Sequence, residues 1–136
     1  MQMSSISQWI NSSNTGEFPT RLAYLILDGN PVGLAQLDEI DWVVKTAWLG
    51  IWIIPEAQSA GRGSSALRFL IDLATRTLGL RQIRLLVTSD NRNAIAIYER
   101  FGFHHEGELV DAEYRDGTFK SLILMCIDLL PGRHPE

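Results

Sequence analysis

The stretch AWLGIWIIPEAQSAGRGSSALRFLIDLATRTLG, residues 47–79, decides the fold. It opens with a nearly continuous apolar run over 47–54, which fits a strand buried on both faces. Pro55, lacking a backbone N–H, stops it. A turn of small residues follows: Gln58-Ser59-Ala60-Gly61-Arg62-Gly63-Ser64-Ser65. Leu67, Leu70, Ile71, Ala74 and Leu78 then recur at helical spacing, and Gly79 can end the helix at positive φ. Strand, Gly-rich turn and long helix in direct succession suit a pyrophosphate. Small residues let backbone N–H groups approach a ligand, and the helix aims its positive end at the same place. The turn is not a Walker loop, because the Gly-Lys-Ser/Thr ending is missing, and the Gly-x-Gly-x-x-Gly spacing is absent too. On the loop alone, a turn that merely joins strand to helix is an equal reading.

Working outward, residues 82–89 read as a strand with Ile83, Leu85 and Val87 on one face. Asp90 or Asn91 caps a short helix carrying Ala94, Ile97, Tyr98 and Phe101 on one side, and Gly102 ends it. Residues 103–115 and 118–130 form a hairpin around Asp116-Gly117. Upstream, residues 21–27 and 32–40 form a second hairpin around Asp28-Gly29. Residues 4–11 read as a short helix with Ile6, Trp9 and Ile10 at i, i+3, i+4, followed by a loop. The order is helix, three strands, helix, strand, helix, two strands. Hairpins joined to a strand–helix–strand crossover imply an α/β (α+β) domain with a mixed sheet and helices on its faces.

Composition bounds the rest. At about 150 residues per domain, 136 residues make one domain, with 1–20 as N-terminal helix and loop and 131–136 as a frayed tail. Hydrophobic residues are 46% and charged residues 21%, and the net charge is −4. A mildly acidic chain without a Lys/Arg cluster lacks the footprint of a nucleic-acid binder. No apolar run approaches the roughly 20 residues that span a bilayer, and residues 1–9 do not read as a secretory signal, so a cytoplasmic location is expected. The single cysteine, Cys126, cannot form an intrachain disulfide and reads as a small buried hydrophobe. His104 and His105 point opposite ways on a strand and read as surface positions. With no Cys/His/Asp cluster near them in sequence, no metal is expected.

Two motifs together carry a resemblance. Gln58-x-x-Gly61-x-Gly63 is followed, after one helix and one strand, by Asn91-x-x-Ala94-Ile95-x-x-Tyr98-x-x-x-Gly102-Phe103. In that order they resemble the two signatures of the GNAT superfamily of acetyl-CoA-dependent N-acetyltransferases, over roughly residues 21–130. The C-terminal half resembles the branch of spermidine, ribosomal-protein N-terminal and amino-sugar acetyltransferases, through residues 33–41, 103–109 and 125–127. The resemblance implies a mostly antiparallel sheet splayed at the cofactor cleft. It also implies that the usual first strand is missing here, which leaves a sheet edge open. That edge and exposed aromatics among Trp42, Trp48 and Trp52 suggest a homodimer.

The resemblance further implies the site. Acetyl-CoA, as co-substrate, would set its pyrophosphate on the amides of Ser59, Ala60, Gly61, Arg62, Gly63 and Ser64, beside Gln58. Its pantetheine would pair with the strand end at Ile53 and Ile54, where parallel neighbours splay after Ile54 and near Thr88. Asn91 would hydrogen-bond the pantetheine, and Tyr98 would protonate the departing thiolate. A phenol of ordinary pKa near 10 starts in the acid form that this role requires. The acceptor is a primary amine: a polyamine, an amino sugar or a protein N-terminus. It must lose a proton before it attacks. The acidic residue that many members carry in the strand before the loop is replaced by Trp48. Asp38, Glu39 and Asp41 are substitutes, Glu39 foremost, with a water chain as the other route. Acidic Asp38, Glu39, Asp41, Glu106, Glu108 and Asp111 could attract a polyamine. The alternative function is a catalytically weak CoA-binding module that acts through a protein partner.

Overall fold

In the computed structural model, residues 2–3, 9–10, 18–58 and 61–129 are described, the first two pairs by backbone alone. Eight strands form one sheet: β1 (Gln2–Met3), β2 (Trp9–Ile10), β3 (Leu22–Asp28), β4 (Asn30–Asp41), β5 (Thr46–Ile53), β6 (Gln82–Thr88), β7 (His104–Arg115) and β8 (Thr118–Asp128). The sheet order is β1-β3-β4-β5-β6-β8-β7, with β2 also on β3. Every pairing is antiparallel except β5 with β6. Two helices, α1 (Arg62–Asp72) and α2 (Arg92–Arg100), supply the crossover and the element after it.

Turn chemistry explains the hairpins. Gly29 turns β3 into β4 at φ 78°, and Asp116 and Gly117, at φ 52° and 82°, turn β7 into β8. Two successive positive φ values match the right-handed twist of the flanking strands. Helix α1 buries Ala66, Leu67 and Leu70 completely, and Ala74 just beyond it is buried too. It continues into one π-helical turn, Leu73–Thr77, before Gly79 reverses the chain at φ 65°. On the sheet, Ile26, Leu37, Ile83, Leu85 and Met125 complete the core. Ile83, Leu85 and Val87 share the buried face of β6, as their alternation predicts.

Several expectations are corrected. Trp9 and Ile10 lie on a strand paired with Ala23 and Leu22, not on a helix. The predicted helix positions 4–8 and 11, and the predicted tail 131–136, lie outside the described residues. With Gln2–Met3 pairing Leu27 and Ile26 as well, the edge of β3 is met by two short segments instead of standing open. Strand β5 is not buried on both faces either. Ala47, Leu49 and Ile53 are buried, Trp48, Gly50 and Ile51 are half-buried, and Trp52 is 60% exposed. Its apolar run reflects one core face and one face that is only partly covered.

The parallel contact is short. β5 pairs β6 only through Thr46–Gln82, Ala47–Ile83 and Trp48–Arg84. Beyond Trp48 the two strands part, earlier than the splay expected after Ile54. The sheet is therefore two antiparallel halves, β3-β4-β5 and β6-β8-β7, joined by a three-pair seam.

Candidate active site

A cleft of about 820 Å³ occupies this gap. It is lined by Ile51, Ile53 and Pro55 from the β5 side, by Gln58, Gly61, Gly63 and Ser64 from the loop, and by Asn91 and α2 residues that include Ile97, Tyr98 and Arg100. That size suits a small-molecule ligand. Backbone alternation decides what β5 offers. The Ile54 N–H donates to the Val32 carbonyl at 2.9 Å, toward β4. Ile51 and Ile53 therefore turn their peptide groups to the gap. There the Ile53 carbonyl already accepts a 2.9 Å hydrogen bond from Gln58 Nε2. So Ile53 and Gln58 are both at the site and bonded to each other, whereas Ile54 is committed to the sheet.

The loop keeps its anion geometry. Gly61 caps α1 at φ 75°, a left-handed conformation, and a Cβ there would meet nothing within 4 Å. A helix that begins at Arg62 leaves its first N–H groups without intrahelical acceptors. Gly61, Gly63 and Ser64 of this helix end line the cleft. These features fit a phosphate group. Ser59 and Ala60 lie outside the described residues. The Arg62 side chain is already engaged. Its Nη1 donates to the Ala57 carbonyl at 2.8 Å and its Nη2 pairs with Asp28 of the β3–β4 turn. The guanidinium thus ties the loop to that hairpin, and the cation lining the cleft is Arg100.

On the opposite wall, Asn91 caps α2, its side-chain oxygen accepting from the Ala94 N–H at 3.2 Å. No residue of α2 is fully buried, because the inner face of the helix is also a cleft wall. Tyr98 projects from that face and meets Phe103 edge-on, with ring centroids 5.7 Å apart. Burial raises its phenol above the ordinary 10.0. Raising an acid's pKa keeps it protonated, so the hydroxyl is in its donor form throughout the neutral range.

None of the three substitute carboxylates lines the cleft. Asp38 is held by Arg21 through two hydrogen bonds of 2.9 and 3.0 Å, which lowers its pKa. Asp41 Oδ1 accepts from the N–H groups of Val43 and Val44, both at 2.9 Å. Glu39 is exposed, at φ 47°, within the bulge where the β4–β5 register shifts between Asp38 and Asp41. The bulge breaks the alternation that would have set Glu39 and Asp41 on one face. Trp48 lies opposite Asp38 and is half-buried. Trp42 packs on Phe18 and donates Nε1–H to the Pro19 carbonyl at 2.8 Å.

Cys126 is fully buried, as expected, and its thiol is pushed up to about 11, chiefly by burial and then by nearby Glu106. Sequence reading missed its neighbours. His104 and Glu106 bring ligand atoms within 4.8 Å of it. Cross-strand pairing thus joins a His and a Glu to a Cys that lies far from them in the chain, a grouping that sequence order does not reveal. Ile51, Pro55, Asn93, Ala96, Ile97 and Arg100 of the cleft were also missed. Only the α2 periodicity could have pointed to any of these.

The mixed sheet, its parted parallel strands and the amide-rich loop facing Tyr98 define an acyltransferase-type fold. The chain belongs to the Acetyltransferase (GNAT) family, which it matches over residues 3–103. It is 37% identical over 100 residues to the spermidine N(1)-acetyltransferase of Escherichia coli K12, covering 74% of this chain and 54% of that protein. A putative ribosomal N-acetyltransferase, YdaF of Bacillus subtilis, is 33% identical over 101 residues, covering 74% of this chain and 55% of that protein. The chain thus spans about half the length of these curated relatives. The solved Vibrio cholerae spermidine N-acetyltransferase in complex with CoA and spermine superposes with a TM-score of 0.76 at 29% identity. That match covers 81% of this chain and 66% of the other. No helix among the described residues is long and apolar enough to cross a membrane.

Proposed function

We propose that the chain transfers an acetyl group from acetyl-CoA to a primary amine, most simply a polyamine, by direct attack. The observation that carries this is the parted β5–β6 gap, with the α1 amides at one end and Tyr98 on its wall. The amides at Gly61 to Ser64 receive the pyrophosphate. The gap-facing peptide groups of Ile51 and Ile53, together with Asn91, hold the pantetheine. The amine nitrogen attacks the thioester carbonyl, the C–S bond breaks, and Tyr98 gives its proton to the leaving sulfur. The polyamine assignment rests on the relatives in E. coli and V. cholerae that bear that activity in their names. Of the three carboxylates near the β4 bulge, Glu39 is the one with no side-chain hydrogen bond among the described residues. We assign it the amine proton, received through water because Glu39 does not line the cleft. Trp52, exposed on the partly covered face of β5, supports self-association as a homodimer, which light scattering checks.

The test is incubation with acetyl-CoA and a panel of spermidine, spermine, an amino sugar and a peptide with a free N-terminus, with thiol release followed. Release dependent on a polyamine is expected. Calorimetric binding of acetyl-CoA with no release on any amine would replace this reading by a CoA-binding module. Absence of CoA binding would remove both.

A further inference from the structure

The face of β6, β8 and β7 turned away from Ile83 and Leu85 carries a second group of reactive side chains. His104 of β7 sits directly opposite Cys126 of β8, and Cys126 sits opposite Arg84 of β6. Glu106, two residues beyond His104, shares its face by alternation. The strand slips register between His105 and Gly107, and such a bulge re-aims the side chain it carries. The outcome is one imidazole nitrogen, one carboxylate oxygen and one sulfur, all within 4.8 Å of one another. His104 and Glu106 reach solvent while Cys126 lies beneath them.

We propose that His104, Glu106 and Cys126 bind a divalent transition metal, zinc by preference, with water completing a four-coordinate shell. A mixed N, O and S donor set is borderline-soft, which suits zinc and disfavours calcium or magnesium. Zinc bond lengths would set the three donors roughly 3.3–3.8 Å apart. Reaching that from the present spread asks for a shift of about an ångström, available to the two exposed side chains by rotamer change. Arg84 is already in the outer role. Its Nε donates to Glu106 Oε1 at 3.2 Å, which orients the carboxylate, and the Cys126 S–H donates to the same carboxylate, a hydrogen bond that the ion would replace. Binding replaces the thiol proton, which passes to solvent, and nothing is oxidised or reduced. The site shares no residue with the cleft, so it does not take part in acetyl transfer. It fastens the edge strand β7 to β8.

Cobalt(II) titrated into the purified chain reads this out without any activity assay. One ion per chain is expected, with a sulfur-to-cobalt charge-transfer band that zinc abolishes on displacing it. His104→Ala and Glu106→Gln change exposed side chains, so these variants stay folded where Cys126→Ser could fail. Each should lose stoichiometric binding. Arg84→Gln should weaken it about 10- to 100-fold, and His105→Ala, on the neighbouring position, should leave it unchanged. Absence of a thiolate band, or equal affinity in the wild type, His104→Ala and Glu106→Gln, overturns the proposal.

Discussion

Gly33 has no room for a side chain. A Cβ there would stand 2.3 Å from the Trp52 carbonyl oxygen, which is backbone and cannot swing aside. Gly33→Ala must push β4 from β5 at the rim of the cleft and is expected to cost about 1–3 kcal/mol, measured by urea denaturation. Tyr98 has a different kind of sensitivity. Tyr98→Phe keeps the ring against Phe103 and removes only the hydroxyl. Turnover should fall by roughly 100-fold or more while the calorimetric affinity for acetyl-CoA stays within a few-fold. Because burial moves the phenol above 10.0, its ionisation does not limit the rate at neutral pH. The rising alkaline limb of the rate then belongs to the amine and should persist in Tyr98→Phe. Glu39→Gln, acting through water, should lower turnover by less than about tenfold. Asp38 shows the linkage in the other direction. Arg21 lowers its native pKa, so the stability from this half-exposed pair is present above the ordinary 3.8 and fades as pH falls through the native value.

The elements differ in how firmly they are held. Helix α1 buries Leu67 and Leu70 completely, whereas α2 has no fully buried residue. Amides of α2 are therefore expected to exchange hydrogen well before those of α1, and acetyl-CoA should slow them selectively. Exchange read by mass spectrometry checks this. The same contrast explains what could be read in the chain. Leu67, Leu70 and Ala74 announce α1, and Asp28-Gly29 and Asp116-Gly117 announce both hairpins, because period and turn chemistry are local properties. Gln58, Gly61, Gly63, Asn91 and Tyr98 were legible through paired motifs, and all line the cleft. The position of Arg62 was not legible, because its partner Asp28 lies on another hairpin. Glu39 does lie on β4, but the parity expected to set it beside Asp41 fails, because a bulge leaves no mark in a two-residue alternation. Trp9 and Ile10 mislead for a related reason: i, i+3, i+4 spacing over so few residues fits a strand pair as well as a helix.

At the scale of the molecule, two antiparallel half-sheets meet through three residue pairs. A ligand seated in the gap touches β5, the loop before α1, and α2, and it binds only the folded state. At a hundredfold excess over its dissociation constant, acetyl-CoA should stabilise the chain by about 2.7 kcal/mol. Differential scanning fluorimetry across a concentration series should show the melting temperature climbing with the logarithm of ligand. The far edge of the sheet is held differently. Strand β7 carries Glu106, Glu108, Asp111 and Glu113, breaks register twice, and sets Asp111 at φ 50°. An unpaired strand is a template on which further chains can stack. Here two such edges brought together would face carboxylate against carboxylate across a backbone too irregular to zip. The bulges and charges of β7 thus act as a brake on fibre growth and precipitation.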